Sequence, residues 1–179
     1  MHGVIFMELR KYVDTKLGRD VWDDLLKEAG LGGKLYLATW SYPDEEAVAI
    51  VTAIAKRRGQ SIPAILEDFG EFIAPTLLHM YRALIPSEWR TLDVIENTEH
   101  VIHRVVRIRQ PGATPPQLVA HRSSPKEVVI TYTSRRKMCG LAKGIAKGIA
   151  RQYNEPITIT ELSCMLRGDS ACVISVKAL

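Results

Sequence analysis

Apolar residues in the first part of the chain recur at three- and four-residue spacing, the period of an amphipathic α-helix. The positions that carry this pattern first are Ile5, Leu9, Tyr12, Val13, Val21, Leu25, Leu26 and Ala29. Gly30 follows the last of them, and a glycine at this position commonly ends a helix. The pattern predicts two helices at the start of a helical region that runs from residue 2 to about residue 107.

Two further helices are predicted by residues that are typical of helix starts. Pro43 suits the first turn of a third helix because its missing N–H is not needed there, and acidic residues follow it. Ser61 can cap a fourth helix over residues 62 to about 84. Within that helix, Gly70 predicts a close packing contact and Pro75 predicts a kink.

The second part of the chain has a mixed pattern. It starts with an irregular connection marked by Pro111, Gly112, Pro115 and Pro116. Four later segments have the composition of strands: residues 117–120, 128–133, 157–164 and 172–176. A helix over residues 137–152 separates the second strand from the third. One helix among sequential strands favours an α+β fold, in which the helix packs on an antiparallel sheet.

Glycines recur at every fourth position of the predicted 137–152 helix, at Gly140, Gly144 and Gly148. This spacing removes side chains from one face of the helix, so its backbone can approach a neighbour closely. We expect the bare face to contact the sheet or a flat ligand.

Composition and charge argue against several classes of protein. The 179 residues suit one domain, and a net charge of +4 is too small and too scattered to indicate nucleic-acid binding. The apolar stretch 47–55 is far too short for a membrane span, and the N-terminus lacks the pattern of a signal peptide. We expect a cytoplasmic protein that binds neither nucleic acid nor membranes. No phosphate loop, nucleophile elbow or HExxH helix is present, so no enzymatic activity is expected.

The segment 132–136 carries two hydroxyls and a guanidinium at alternate positions, Tyr132, Ser134 and Arg136. On a strand these three side chains point to one face. Arginine offers a fork of donors and each hydroxyl one directed hydrogen bond, so the trio could hold paired carboxylates. An ordinary solvated strand end is the alternative.

The chain resembles the haem nitric oxide/oxygen binding (H-NOX) domains, relatives of the sensor part of soluble guanylate cyclase. The resemblance runs nearly from end to end, and the order and spacing of its parts make it specific. The matching residues are Met1-His2-Gly3, Trp22, Ala29-Gly30-Leu31, Tyr42-Pro43-Asp44-Glu45-Glu46, Phe69-Gly70, His103, Gly112-Ala113-Thr114-Pro115-Pro116, the trio Tyr132, Ser134 and Arg136, and the tail from Cys164 to Cys172.

The resemblance implies that His103 is the proximal ligand of haem b, iron protoporphyrin IX. It also implies that Pro116 lies against the porphyrin and that Ile5 and Ile145 line the same pocket. The residues alone leave two other interpretations of His103 open. It could be a polar residue on an outer helix face, or it could form a non-haem metal site with three residues of the same helical face. Those three residues are Glu96, Glu99 and His100.

The resemblance also predicts which gases bind. Oxygen on ferrous iron is stabilised by a hydrogen-bond donor in the distal pocket, which oxygen-binding relatives supply with a tyrosine. The matching residue is Leu141, and the supporting positions are Leu9 and Ile73. Because all three are apolar, we expect a sensor that binds nitric oxide and carbon monoxide and excludes oxygen.

The resemblance implies a signalling mechanism as well. Nitric oxide should release His103 from iron, and the helix that carries it should then move, with Gly70 as one candidate pivot. The partner is expected to be a separate protein, either a histidine kinase or a cyclic-di-GMP enzyme. One domain is expected over residues 1–179, with a helical part over about 1–60 and a haem-enclosing mixed part over about 61–179.

The cysteines supply an alternative function. A hairpin centred on Gly168 would place Cys164 opposite Cys172, and Cys139 could approach both. In some relatives three such cysteines and a histidine hold zinc and report redox state without haem. The histidine position is Glu161 here, which is a less usual zinc ligand beside thiolates. Reduced thiols that act as small apolar side chains, and a haem-free interaction domain, also remain open.

Overall fold

Four helices make up most of the first 80 residues of the computed structural model, which describes residues 1–109 and 113–179. They are α1 (Gly3–Lys16), α2 (Val21–Glu28), α3 (Asp44–Arg58) and α4 (Ile62–Met80). Ser61 caps α4 as predicted, because its side chain accepts a hydrogen bond from the Ala64 N–H. Pro43 is the N-cap of α3 and so lies just before the first turn, not in it. The helix α4 continues through Pro75 and ends at Met80, and a separate 3₁₀ turn follows at Arg82–Leu84.

A second helical run carries His103. It comprises α5 (Thr91–Asn97), a π-helical segment (Thr98–His103) and α6 (Arg104–Arg109), and we call residues 91–109 the His103 helix. A π-helical turn widens the backbone and is often found at functional sites. The predicted irregular connection at Pro111 and Gly112 lies outside the described residues.

The sheet has four antiparallel strands in the order β1-β2-β4-β3. Their bounds are Gln117–Ser124 (β1), Glu127–Thr133 (β2), Ile157–Ser163 (β3) and Cys172–Ala178 (β4). The helix α7 (Cys139–Gln152) lies between β2 and β3 in the chain. This arrangement confirms the predicted α+β fold. The first and last strands extend beyond their predicted ends.

Two apolar cores stabilise these elements. The first is formed by α1 to α4 and contains an aromatic cluster in which the Phe6 ring stacks on Tyr36 at 4.3 Å and lies edge-on to Tyr42. The second lies between the sheet, α7 and the His103 helix. None of the helices in the described ranges combines the length and the apolar character needed to cross a bilayer.

The helices α4 and α7 join the two cores through an unusually close contact. A Cβ atom on Gly144 would lie 2.0 Å from the Glu67 carbonyl oxygen, and one on Gly70 would lie 2.4 Å from the Leu141 carbonyl oxygen. The structure therefore confirms the close packing contact that the sequence predicted at Gly70. The prediction for the glycine stripe of α7 was wrong about its partner, because the bare face packs on another helix and not on the sheet or a flat ligand.

Candidate functional site

A cavity of about 290 Å³ lies where the helical core meets the sheet. Aliphatic side chains from α4, α7, the His103 helix and the strands β1 and β2 form most of its wall. The aliphatic and alanine side chains from helices are Val4, Ile5, Ala74, Leu77, Leu78, Val94, Ile95, Ile102, Val106, Leu141, Ala142, Ile145, Ala146 and Ile149. A large apolar cavity with a few polar groups is the usual form of a cofactor site.

The imidazole of His103 lies in the wall of this cavity. Its Nδ1 is 2.9 Å from Oε2 of Glu99. An ionised carboxylate can only accept a hydrogen bond, so Nδ1 carries the proton, and the ring also hydrogen-bonds the Pro116 carbonyl. Burial lowers the pKa of His103, although Glu99 opposes this change. The result is a neutral imidazole, the form that binds iron.

The carboxylate of Glu99 accepts two further hydrogen bonds. Its Oε1 lies 2.7 Å from Nη1 of Arg107, and its Oε2 accepts the N–H of Leu118 at 3.2 Å. Burial alone would raise the pKa of Glu99, but the bonds from Arg107, His103 and Leu118 outweigh this effect and lower it. Glu99 is therefore ionised at neutral pH.

The predicted carboxylate-binding trio is only partly assembled as expected. Tyr132 and Arg136 line the cavity, whereas Ser134 does not. The strand β2 ends at Thr133, so Ser134 and Arg136 lie in the following turn and the two-residue alternation does not extend to them. Ser134 closes that turn, because its hydroxyl accepts the N–H of Arg136 at 3.2 Å.

The guanidinium of Arg136 is already oriented for a carboxylate. Its Nε donates to Oδ2 of Asp44 at 2.5 Å, and its Nη2 donates to the Thr114 hydroxyl at 2.7 Å. Burial would raise the pKa of Asp44, but the N-terminal amine and Arg136 together lower it. The sequence analysis did not identify Asp44 as a site residue, although it did predict acidic residues in the first turn of α3.

The other predicted pocket residues fall into two groups. Ile5, Pro116, Leu141 and Ile145 line the cavity. Leu9 and Ile73 are fully buried in the helical core, and they are absent from the cavity wall in the described parts of the chain.

A tyrosine that sequence reasoning missed, Tyr81, lines the cavity just after the end of α4. Burial raises the pKa of Tyr81, so its hydroxyl stays protonated and can donate a hydrogen bond. Tyr81 directly follows the long apolar helix α4, and this position in the sequence could have identified it as a candidate cavity residue.

The non-haem metal site considered for His103 is not formed. Glu96 binds Arg122 on β1, with 2.9 Å between Oε2 and Nε. His100 is exposed, and of the three candidate partners Glu99 is the one that hydrogen-bonds the His103 ring. Within residues 1–109 and 113–179, the one cluster with metal-ligand spacing is formed by cysteines.

That group, which we call the thiol cluster, consists of Cys139, Cys164 and Cys172. The Sγ atom of Cys164 is 3.6 Å from that of Cys139 and 3.8 Å from that of Cys172, as the hairpin argument predicted. All three residues are buried and reduced. Burial and the neighbouring sulfurs raise the pKa of Cys139 to about 12.

Glu161 lies beside the thiol cluster and interacts with the Cys164 thiol, but its oxygens are not among the ligand atoms that converge there. Its carboxylate forms ion pairs with Lys143 at 3.1 Å and with Arg167 at 2.5 Å. Burial raises the pKa of Glu161, but these two cations outweigh burial and lower it. The two cations balance the negative charge of the Glu161 carboxylate. The ligand atoms that lie close enough together to share a metal ion are therefore the three sulfurs.

Comparison with known proteins gives a family. The profile of a family described as Haem-NO-binding matches residues 2–161. Soluble guanylate cyclase gcy-35 of Caenorhabditis elegans is 25% identical over 161 residues, which is 85% of this chain. The chain spans only 23% of the length of that cyclase.

Solved structures share the fold. An H-NOX protein from S. oneidensis in the Fe(II)NO ligation state has a TM-score of 0.93 at 24% identity, with 100% of this chain and 99% of that chain covered. The unliganded Fe(II) H-NOX protein from K. algicida has a TM-score of 0.87 at 19% identity, with 100% and 97% covered. Because the family profile spans most of the sequence, this chain belongs to the Haem-NO-binding (H-NOX) family of haem-based gas sensor domains.

Proposed function

We propose that this domain binds haem b, iron protoporphyrin IX, through Nε2 of His103 and responds to nitric oxide. One observation carries the proposal: a neutral imidazole lies in the wall of a largely apolar cavity. The donor set fits haem, because a single imidazole without other ligand side chains is a common protein contribution to haem iron. The family is one of sensor domains, which agrees with the expectation that the chain is not an enzyme.

Arg136 is the residue best placed to bind the acidic edge of haem. Its guanidinium already binds the Asp44 carboxylate at the cavity, and a propionate would add to or replace this contact. The hydroxyl of Tyr132 would supply a second donor. Ser134 would act by fixing the turn that positions Arg136.

Pro116 would contact the flat face of the porphyrin. It lines the cavity directly before β1, and its ring has no N–H to satisfy in an apolar setting. Ile5 and Ile145 would form other parts of the apolar wall. We infer that these rigid and branched side chains fix the position of the bound group.

The apolar wall also supports selection against oxygen. Leu141 and Ile145 carry no hydrogen-bond donor, and Leu9 and Ile73 lie behind them in the helical core. Bound oxygen needs a donor and nitric oxide does not. We therefore propose that the domain binds nitric oxide and carbon monoxide and excludes oxygen.

Signalling would begin at His103. Haem would supply an iron that binds nitric oxide, and His103 is the residue that would hold this iron until the gas binds. His103 would then be released, and the His103 helix, whose π-helical segment is its irregular part, could change position. We propose that a separate protein reads this change, either a histidine kinase or a cyclic-di-GMP enzyme in the cytoplasm.

A redox function of the thiol cluster is the second candidate, and one observation favours it: the metal-ligating atoms of its three cysteines lie within 4.8 Å of one another. Zinc usually takes four ligands in a structural site, and Glu161 is held by two cations. Zinc analysis of protein purified without added metal tests this candidate. One zinc per chain that disappears in Cys139→Ala would establish the zinc site on which this function depends, and absence of zinc from the parent protein would contradict it.

The experiment for the haem proposal replaces the ligand and then supplies it in solution. We expect His103→Gly to lose its haem Soret band and to regain it when imidazole is added. His100→Gly is the matched control, because His100 lies in the same π-helical segment but is exposed. A His103→Gly variant that loads haem with an unchanged spectrum in the absence of imidazole would overturn the proposal.

A further inference from the structure

We propose that Glu99 is a positioning residue for His103, and that it sets the strength of the bond that His103 forms with iron. This inference rests on the proposed function. It concerns a carboxylate one helical turn before His103 that holds the imidazole and that would not touch haem iron itself. Outer-shell partners of this kind fix the tautomer of a ligand and raise its basicity.

Glu99 makes two contacts that together fix the position of the His103 ring. Its Oε2 holds Nδ1 of His103 at 2.9 Å, which directs Nε2 away from the carboxylate. The same oxygen accepts the N–H of Leu118 at 3.2 Å, so the imidazole is tied to the first residues of β1. Leu118 follows Pro116 by two residues. Glu99 therefore links His103 to the strand that begins directly after Pro116, the predicted porphyrin contact.

Arg107 adjusts the charge of this carboxylate. Its Nη1 lies 2.7 Å from Oε1 of Glu99, and its side chain is 40% exposed. The guanidinium withdraws negative charge from Glu99 and so weakens the pull of the carboxylate on the Nδ1 proton. Removal of Arg107 should therefore strengthen the donor character of His103, whereas neutralisation of Glu99 should weaken it.

These opposite effects distinguish a positioning role from a merely structural one, because loss of structure would not shift the iron–histidine bond in opposite directions in the two variants. In ferrous haem-loaded protein, we expect Glu99→Gln to lower the iron–histidine stretching frequency in resonance Raman spectra and Arg107→Met to raise it. We expect Glu99→Gln to speed the release of His103 on addition of nitric oxide about tenfold, at the low end for outer-shell partners. Glu96→Gln is the matched control, because Glu96 pairs with Arg122 on β1 and should leave both values unchanged.

A haem-free measurement separates this inference from the proposed function. In apoprotein, ¹⁵N NMR should show His103 as the tautomer with the proton on Nδ1, and Glu99→Leu should give a mixture of both tautomers. Equal tautomer populations in apoprotein of the parent chain would overturn the inference even if haem never loads. If haem loads and the stretching frequency is the same in Glu99→Gln, Arg107→Met and the parent, the inference fails while the proposed function stands.

Discussion

The His103 cavity and the thiol cluster are two places within residues 1–109 and 113–179 where side chains could hold a metal, and they are built differently. At the cavity, the imidazole of His103 lies in the wall and Glu99 hydrogen-bonds its Nδ1. At the thiol cluster, three sulfurs converge, but the nearby carboxylate of Glu161 is paired with two cations. The first site combines a histidine, a carboxylate that hydrogen-bonds it and an open cavity beside it. The second site has three cysteines inside a closely packed core.

This difference shows that converging ligand atoms are not sufficient evidence for a site. Cysteine is also a small apolar side chain, and the thiol cluster belongs to the core formed by the sheet and α7. Histidine beside a cavity has no such packing role. The geometry therefore supports a cofactor more strongly at His103 than at the thiol cluster.

The largest expected effect concerns thiol reactivity. Burial and neighbouring sulfurs raise the pKa of Cys139 to about 12, so the thiolate that reacts with iodoacetamide is scarce at pH 8. We expect native protein to be alkylated at Cys139 on the order of a hundredfold more slowly than in urea. Mass spectrometry of tryptic peptides measures both rates. Equal rates would show that the thiol cluster is open and reactive, which removes the contrast between the sites.

The second prediction tests the apolar wall of the cavity. Leu141→Tyr adds a donor, and a hydrogen bond to a charged group contributes about 1.5–3 kcal/mol, which corresponds to a gain in oxygen affinity of roughly 10- to 100-fold. Absorption spectra of reduced protein in air measure this gain. Leu141→Phe is the matched control because it has the ring without the hydroxyl.

Tyr81 provides the complementary check on gas selection, since it is a tyrosine that already lines the cavity. We expect Tyr81→Phe to leave the gas selectivity unchanged. If oxygen binds to the parent chain and not to Tyr81→Phe, the assignment of Leu141 as the residue that controls oxygen binding is wrong.

The third prediction perturbs both sites together, because α7 carries Cys139 at its start and cavity residues along its length. A Cβ on Gly144 would lie 2.0 Å from the Glu67 carbonyl oxygen, so Gly144→Ala must push α4 and α7 apart. Overpacking of this kind costs about 1–3 kcal/mol in the free energy of unfolding. Urea denaturation measures it. Gly32→Ala is the control, since its Cβ would meet Lys27 at an ordinary 3.5 Å.

The smallest expected effect is the pH dependence of the Glu161 ion pairs. Lys143 and Arg167 lower the pKa of this carboxyl despite its burial, so its contribution to stability is present above the unfolded-state pKa and is lost as the pH falls through the folded value. We expect Glu161→Gln to cost up to about 1 kcal/mol at pH 7 and nothing at pH 2. Denaturation at both pH values measures this difference, and a constant cost would contradict it.

Much of the fold was predictable because helix and strand periods are local properties. The positions of Ile5, Leu9 and Tyr12 gave α1, and the alternation before Thr133 gave β2. The partner of the Gly144 stripe was not predictable, since the spacing shows a bare face but not which element approaches it.

The candidate site was less predictable than the fold. Resemblance gave His103, and the structure placed it at the cavity, but the i,i+4 spacing of Glu99 and His103 left open whether they form a shared metal site or a hydrogen bond. Cavity depth is a tertiary property, so sequence could not show that Leu9 and Ile73 lie outside the wall. The end of β2 before Ser134 likewise depends on the turn that follows it.

We propose that His103 holds a haem whose gas site favours nitric oxide. The most direct measurement is the absorption spectrum of reduced, haem-loaded protein in nitrogen, in air and with nitric oxide. We expect the Soret band to shift with nitric oxide, with loss of the histidine ligand, and to show no oxygen complex in air. A stable oxygen complex, or a spectrum that nitric oxide leaves unchanged, would contradict the claim.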